Sequence, residues 1–268
     1  MNLNPILVTE PVGNFRRRAA DAMRGRVSML YLVGLIYISC LTIPTAVIEG
    51  LNGTFNKLAE VMQGISTTMD VQKWYAENAD ALQATSNFSA LYGILVTGTF
   101  ALGLTIVHLA VIRRQEATSL SLFDGFAQLP KAVAIYVLTR IMIFLWTLLF
   151  VVPGVIAYYR YSLVYYIVID NPQIGTLQAI RMSGDLMRGN KMKRFVLDLS
   201  FIPWCIPPVV IIVTILSFFS PSALESGGNA LFALYMFIYV LVAVLFSFVL
   251  NYRGVAAADF YQKVGNTD

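Results

Sequence analysis

Charge is scarce in this chain. Only 13% of its 268 residues are Asp, Glu, Lys or Arg, against roughly 25% in a soluble domain, and 57% are hydrophobic. Val27–Ile48, Ala81–Ile112, Ile141–Tyr159, Leu199–Leu224 and Ser226–Tyr252 contain no charge at all. With a mean hydropathy of +0.69, a soluble fold would have to bury more apolar side chains than one core holds. Histidine occurs once, as His108, which leaves no room for a histidine-based metal cluster. Cys40 and Cys205 both fall inside apolar runs and read as small buried hydrophobes, not as a disulfide or metal pair. The chain has no phosphate-binding Gly-rich loop, no His-Glu-x-x-His, no Gly-x-Ser-x-Gly and no paired intramembrane aspartates. Neither catalysis nor a cofactor is expected. The net charge of +4 is small, and nucleic acid is not an expected partner.

What is present is a set of membrane-length segments. Each charge-free run is near or above the roughly 18–20 residues of a spanning helix. The reading is an all-α, polytopic membrane helix bundle with interfacial helices and six spans, at about 27–48, 88–112, 132–152, 154–170, 195–218 and 230–251. Arg16, Arg17, Arg18, Arg24 and Arg26 precede span one, and Arg113, Arg114 and Lys131 follow span two. Arg181, Arg188, Lys191, Lys193 and Arg194 follow span four, and Arg253 and Lys263 follow span six. Six spans put all of these on one side, and the positive-inside rule makes it the cytoplasm. The expectation is a multi-pass cell-membrane protein with both termini cytoplasmic. It divides into a basic amphipathic segment (1–26), a membrane domain (27–251) and a cytoplasmic tail (252–268). The membrane domain carries an outer insertion at 50–87 and an inner interfacial helix within 171–194. The charged leader and first apolar run are too long for an ordinary secretory signal, so the first span is expected to stay uncleaved.

Local signals refine this. Phe15, Ala19 and Met23 face one way between arginines, predicting a helix on the inner leaflet with Arg16, Arg17 and Arg18 toward anionic lipid. Pro153-Gly154 reads as the turn between spans three and four. Pro203, Pro207 and Pro208 each remove a backbone donor, so span five is broken or begins late after a helical surface segment. Leu51, Phe55, Leu58, Met62, Ile65 and Met69 make one apolar helical face in the outer insertion. That face caps the bundle's outer mouth, lies on the outer leaflet or docks a protein partner. In the inner connection Thr176 offers an N-cap and Gly189-Asn190 a C-cap. Leu177, Ile180, Gly184 and Met187 form the face expected against the bundle, and Asp185 is placed to pair with Arg181 or Arg188. Lys191, Lys193 and Arg194 are expected at headgroup level.

One string of residues resembles a known family. It runs Val152-Pro153-Gly154-Val155, Arg160-Tyr161-Ser162, Asp170-Asn171-Pro172, Ser183, Leu186-Met187, Gly189-Asn190-Lys191 and Leu197-Asp198-Leu199-Ser200-Phe201-Ile202 with Trp204. Leu122-Phe123-Asp124-Gly125-Phe126 fits the same pattern. From about residue 113 onward the chain resembles a bacterial integral membrane family catalogued as domain of unknown function 975. That family is distantly similar to membrane domains fused to glycerophosphodiester phosphodiesterases. The resemblance implies a six-helix membrane protein and no particular activity.

Charges inside spans are costly and mark candidate sites. Arg140, Arg160, Asp198 and His108 are the candidates, with Arg160 expected to face the interior and Asp198 placed to pair with Arg140. An internal ion pair fixing helix register, a site for an anionic lipid headgroup or peptide carboxylate, and snorkelling to the interface all remain open. Two function classes follow. One is a protein that handles or transports a lipid-like, peptide or anionic small molecule. The other is an accessory or immunity protein that binds a membrane partner or toxin, or a second copy of itself.

Overall fold

The computed structural model describes residues 6–51, 72–73, 76, 79–217 and 228–265. Among them there is no strand. The helices are α1 (Val12–Met23), α2 (Val27–Leu51), α3 (Ala79–Ile112), α4 (Leu129–Leu149), α5 (Val151–Arg160), α6 (Val164–Asp170), α7 (Thr176–Leu186), α8 (Lys191–Leu199), α9 (Ile202–Ser217) and α10 (Gly228–Gly265), with a 3₁₀ segment at Ser119–Gln128 before α4. Among the described residues six stretches are long and apolar enough to cross a membrane: Val27–Ile48, Ser86–Ile112, Ser119–Leu149, Val151–Asp170, Lys191–Thr214 and Met236–Gly265. The outer apolar face from Phe55 to Met69 lies outside the described residues.

Long-range contacts gather at one end of the bundle, called here the basic end. Arg113, just past α3, grips Asp170 at the end of α6 through two 2.8 Å bonds, and Tyr261 of α10 donates to the same carboxylate at 2.9 Å. The pair holds the Arg113 guanidinium above the ordinary arginine range. Lys131 reaches the Pro172 carbonyl at 2.6 Å, and Arg26 the Gln115 carbonyl at 2.6 Å. The bonds to Asp170 and Pro172 explain why the Asp170-Asn171-Pro172 string matters: it ties the end of α6 to the end of α3, the start of α4 and the side of α10.

Two segments that read as surface pieces belong to this core. The expected tail at 252–268 is the continuation of α10, whose 38 residues extend about 57 Å at 1.5 Å per residue, well beyond a hydrocarbon core of about 30 Å. Val255, Ala256, Ala258, Phe260 and Val264 are fully buried there. Against them lies α1, with Phe15, Ala19 and Met23 buried and the Phe15 and Phe260 rings 5.6 Å apart. So α1 docks on α10, not on the leaflet. Arg18 bonds Glu10 (2.9 and 2.7 Å) and Asp259 (2.7 Å), and Arg16 donates to the Ser200 carbonyl at 3.2 Å. The Arg18 guanidinium holds the Glu10 carboxyl below the usual glutamate range. Arg17 stays exposed.

Other details depart from the sequence reading. The chain reverses at Phe150, between α4 and α5. Pro153 sits in the first turn of α5, where its missing donor costs nothing, and Gly154 lies inside, pressed against Thr147 of α4. Span four breaks instead at Tyr161–Leu163, between α5 and α6. Span five takes the late-start form, with amphipathic α8 leading into α9. Pro203 lies in the first turn of α9 and Pro207 and Pro208 lie inside it. The N-cap of α7 is Gly175 and not Thr176. Its buried face is Ala179, Ile180, Ser183, Gly184 and Leu186, followed by Met187. Leu177 stands off that face and is 53% exposed. Asp185 pairs with Arg188 at 3.2 Å. Gly189 turns at φ +82°, which frees buried Asn190 to accept from the Val8 amide at 2.9 Å and donate to the Ile6 carbonyl at 2.9 Å.

Between α2 and α10 the crossing is close and polar. A Cβ on Gly34 would collide with Ser247. Ser247 donates to the Tyr31 carbonyl (2.8 Å), Asn251 to the Leu30 carbonyl (2.8 Å) and Tyr31 to the Val244 carbonyl (2.7 Å). Small residues and side-chain hydrogen bonds of this kind hold helices together where lipid removes the hydrophobic drive.

Because Asp170 answers both a guanidinium and a phenol in a part-buried setting, Asp170→Ala is expected to cost about 1.5–3 kcal/mol, the range for hydrogen bonds to charged groups. Asp185→Ala, at an exposed i,i+3 pair, should cost under about 1 kcal/mol. Thermal unfolding in detergent checks the ranking, and equal losses would refute it.

Candidate functional site

The site forms where α3, α4, α5, α6, α8 and α10 leave a gap. It is a cavity of about 280 Å³ whose lining includes Arg140, Arg194, Arg253 and His108, together with Tyr37, Tyr136, Tyr158, Tyr161, Tyr165 and Tyr166. It opens to the surroundings where Arg140, Tyr158 and Arg253 keep substantial exposure.

Each basic side chain arrives by a local rule. On α8, Arg194, Leu197, Asp198 and Phe201 follow helical spacing, which turns this face inward, away from Met192 and Val196. Arg194 therefore keeps only 8% of its surface, a correction to its expected place at headgroup level. Lys193 of the same basic cluster reaches the Thr9 carbonyl at 3.4 Å, and Lys191 is partly exposed. Arg253 follows the charge-free run of α10, one residue past Tyr252. Arg140 lies nine residues beyond Lys131 on α4, about 14 Å deeper along the helix, and stacks on Tyr136 with 5.1 Å to the ring centroid.

Asp198 does not pair with Arg140. Its Oδ1 lies 3.4 Å from Arg194, its i,i+4 neighbour, and 4.0 Å from Arg253. These are loose approaches. Among the described residues Nε and Nη1 of Arg194, Oδ1 of Asp198 and the Tyr165 hydroxyl have no hydrogen-bond partner although buried. The Phe260 ring covers Arg194 at 5.9 Å. Three guanidiniums line the cavity and two of them approach the Asp198 carboxylate, which leaves positive charge in excess beside donors without acceptors.

His108 is fixed by the α2–α10 seam. Asn251 spends its amide nitrogen on the Leu30 and Ser247 carbonyls, so its oxygen accepts from His108 Nε2 at 3.0 Å. That network assigns the ring proton to Nε2. Gly254 lies flat against the imidazole, where a Cβ would run into the ring.

Arg160 is the candidate that the structure moves away. It is the last residue of α5 and exposed, leaving the bundle beside α7, where it lies across Gly184 with the Tyr161 ring 5.8 Å away. Ser183 donates to its carbonyl at 2.8 Å, so what this position gives the fold is largely backbone. Sequence reasoning brought Arg140, Asp198 and His108 to attention, but it missed Arg253, given to the tail, and Tyr37 and Tyr136. Position 253, four residues after Val249 and seven after Phe246, was the available signal. Among the described residues no three His, Cys, Asp or Glu side chains gather as a metal ion would require.

The class of protein is thus a polytopic helical bundle with membrane-length spans and a cation-lined cavity. Residues 148–268 match the model of the family described as protein of unknown function (DUF975), and they supply Asp198, Arg194, Arg253 and four of the cavity tyrosines. Arg140, His108 and the Leu122–Phe126 string lie before the matched region. The chain matches no curated protein and no solved structure. The family match does not extend to the more distant likeness to glycerophosphodiester phosphodiesterase membrane domains.

A side chain at position 254 would displace His108, so Gly254→Ala is expected to destabilise by about 1–3 kcal/mol through overpacking. His108→Ala in the same chain should recover most of that loss. A double-mutant cycle of thermal unfolding measures the coupling, and additive losses would show that the two positions do not touch.

Proposed function

We propose that this chain is a multi-pass cell-membrane protein that binds the anionic group of a lipid-like, peptide or small molecule in the arginine–tyrosine cavity, handling or transporting it without catalysis. One observation carries the reading: Arg194, nine-tenths buried, lines the cavity with two guanidinium nitrogens lacking acceptors. A buried donor without a partner costs about 1–3 kcal/mol, more when charged, and an incoming oxyanion recovers that cost. Arginine forks suit carboxylate and phosphate, and the surrounding phenols add further donors.

Arg194→Gln keeps the side chain polar but removes the charge. Purified protein in detergent should be stabilised by at least one of three probes: inorganic phosphate, an acetylated tripeptide or phosphatidylglycerol. Saturation at a hundredfold over Kd corresponds to about 2.7 kcal/mol. Arg194→Gln and Arg253→Gln should each abolish the shift. No stabilisation by any probe, or shifts unchanged in both variants, would overturn the reading.

Orientation belongs to the same proposal. The basic end carries most of the lysine and arginine, so we place both termini in the cytoplasm and Lys73 outside. Single cysteines at Lys73 and Arg188, in a chain lacking Cys40 and Cys205, should label from opposite sides of the membrane. Labelling from one side refutes the topology.

A further inference from the structure

A second hollow adjoins the cavity. It measures about 380 Å³, shares Tyr37, Leu250 and Arg253 with the first, and is otherwise lined by Ile38, Asp198, Phe201, Ile202, Cys205, Phe246 and Val249. Its walls are two helical stripes. Asp198, Phe201, Ile202 and Cys205 follow i, i+3, i+4, i+7 on α8 and α9, and Phe246, Val249, Leu250 and Arg253 do the same on α10. The ion pair of Asp198 with Arg253 and the edge contact of Phe201 with Tyr252, 4.9 Å between centroids, set the stripes antiparallel. One end of the groove therefore carries Asp198 and Arg253, and the other, about 10 Å away along α10, carries Cys205 and Phe246. Beyond Asp198 and Arg253 both stripes lie within runs that contain no charge. The groove is thus polar where the charge-free run ends and apolar along its length.

We infer that the ligand is an anionic phospholipid, with its phosphate in the arginine cavity and an acyl chain in the groove between α9 and α10. This rests on the anion-site reading and names its substrate class. The uncompensated positive charge of the cavity suits the negative charge of a phosphodiester that no cationic headgroup neutralises, and a bidentate guanidinium contact is the strong form of that recognition. A free anion would satisfy the arginines but leave the groove unused. A peptide would bring backbone donors and acceptors that Ile38, Phe201, Val249 and Leu250 cannot answer. A hydrocarbon chain needs no such answer, and it enters from the bilayer without crossing water.

Cys205 reports on the groove without altering the fold. In a Cys40→Ser chain, alkylation of Cys205 by N-ethylmaleimide is timed in detergent with long-chain phosphatidylglycerol, its dihexanoyl analogue, phosphatidylcholine of the same chains, or inorganic phosphate. Long-chain phosphatidylglycerol should slow alkylation at least tenfold, with little slowing from phosphatidylcholine or phosphate, and should bind at least tenfold tighter than the dihexanoyl form. Arg194→Gln and Arg253→Gln should remove the protection. Ile202→Phe, at a half-exposed position on the groove wall, should weaken the long-chain lipid but not inorganic phosphate. Phosphate binding as tightly as the lipid, with Cys205 unprotected, overturns the lipid inference and leaves the anion site standing. Equal protection by phosphatidylcholine overturns headgroup selection by the arginines. Absence of binding by every probe overturns both readings.

Discussion

A guanidinium removed from water must meet oxygen, and here buried Arg194 approaches the Asp198 carboxylate at 3.4 Å while the part-exposed Arg253 comes within 4.0 Å of the same group. Much of the arrangement around the cavity follows from that requirement. Asp198 turns the inner face of α8, and with it the entry angle of α9. Arg253 meets the same carboxylate from α10, which sets the rotation of the longest helix. The carboxylate is too far from both guanidiniums to satisfy either, and Arg140 is left with an aromatic face. Removing one member of a buried pair typically costs more than the pair contributes, so the site is held by its mutual need and remains under-coordinated.

The packing has two regimes. At the basic end, α1, α6, α7 and the second halves of α3 and α10 make a core as dry as that of a soluble domain, with Phe15, Leu163, Val168, Met187 and Phe260 fully enclosed. Toward the other end, Phe144, Leu148, Phe150, Val151 and Val152 on α4 and α5, and Val210 and Val213 on α9, present their side chains outward. Apolar residues exposed in such continuous runs suit lipid. The cavity and groove lie at the transition, where helices fixed at one end begin to separate.

How much of this could be read from the sequence depended on the kind of signal. The six stretches were legible because length and absence of charge decide them, and 27–48 coincides with its structural counterpart. Local periodicity found α7 but misplaced Leu177, because a face is set by the neighbour it meets. The arginines of α1 and α8 pointed to lipid since a basic amphipathic stretch looks the same against a leaflet or against a protein. What separates those cases is the partner, and Glu10, Asp259 and Phe260 are distant in sequence or inside a presumed tail. Arg140, Asp198 and His108 were legible as costly charges or polar groups in apolar runs. Arg253 was not, because it stands one residue outside its run, and only the uninterrupted course of α10 brings it back.

The docking of α1 on α10 also has a consequence in time. Arg18 and Asp259 are separated by 241 positions, and contacts of such separation form late. At a synthesis rate of about 5–20 residues per second, α1 waits roughly 10–50 s with Phe15, Ala19 and Met23 uncovered before its partner exists. The face that α10 covers in the finished fold is thus the one that a nascent chain leaves open longest, and its closure awaits the helix made 241 residues later.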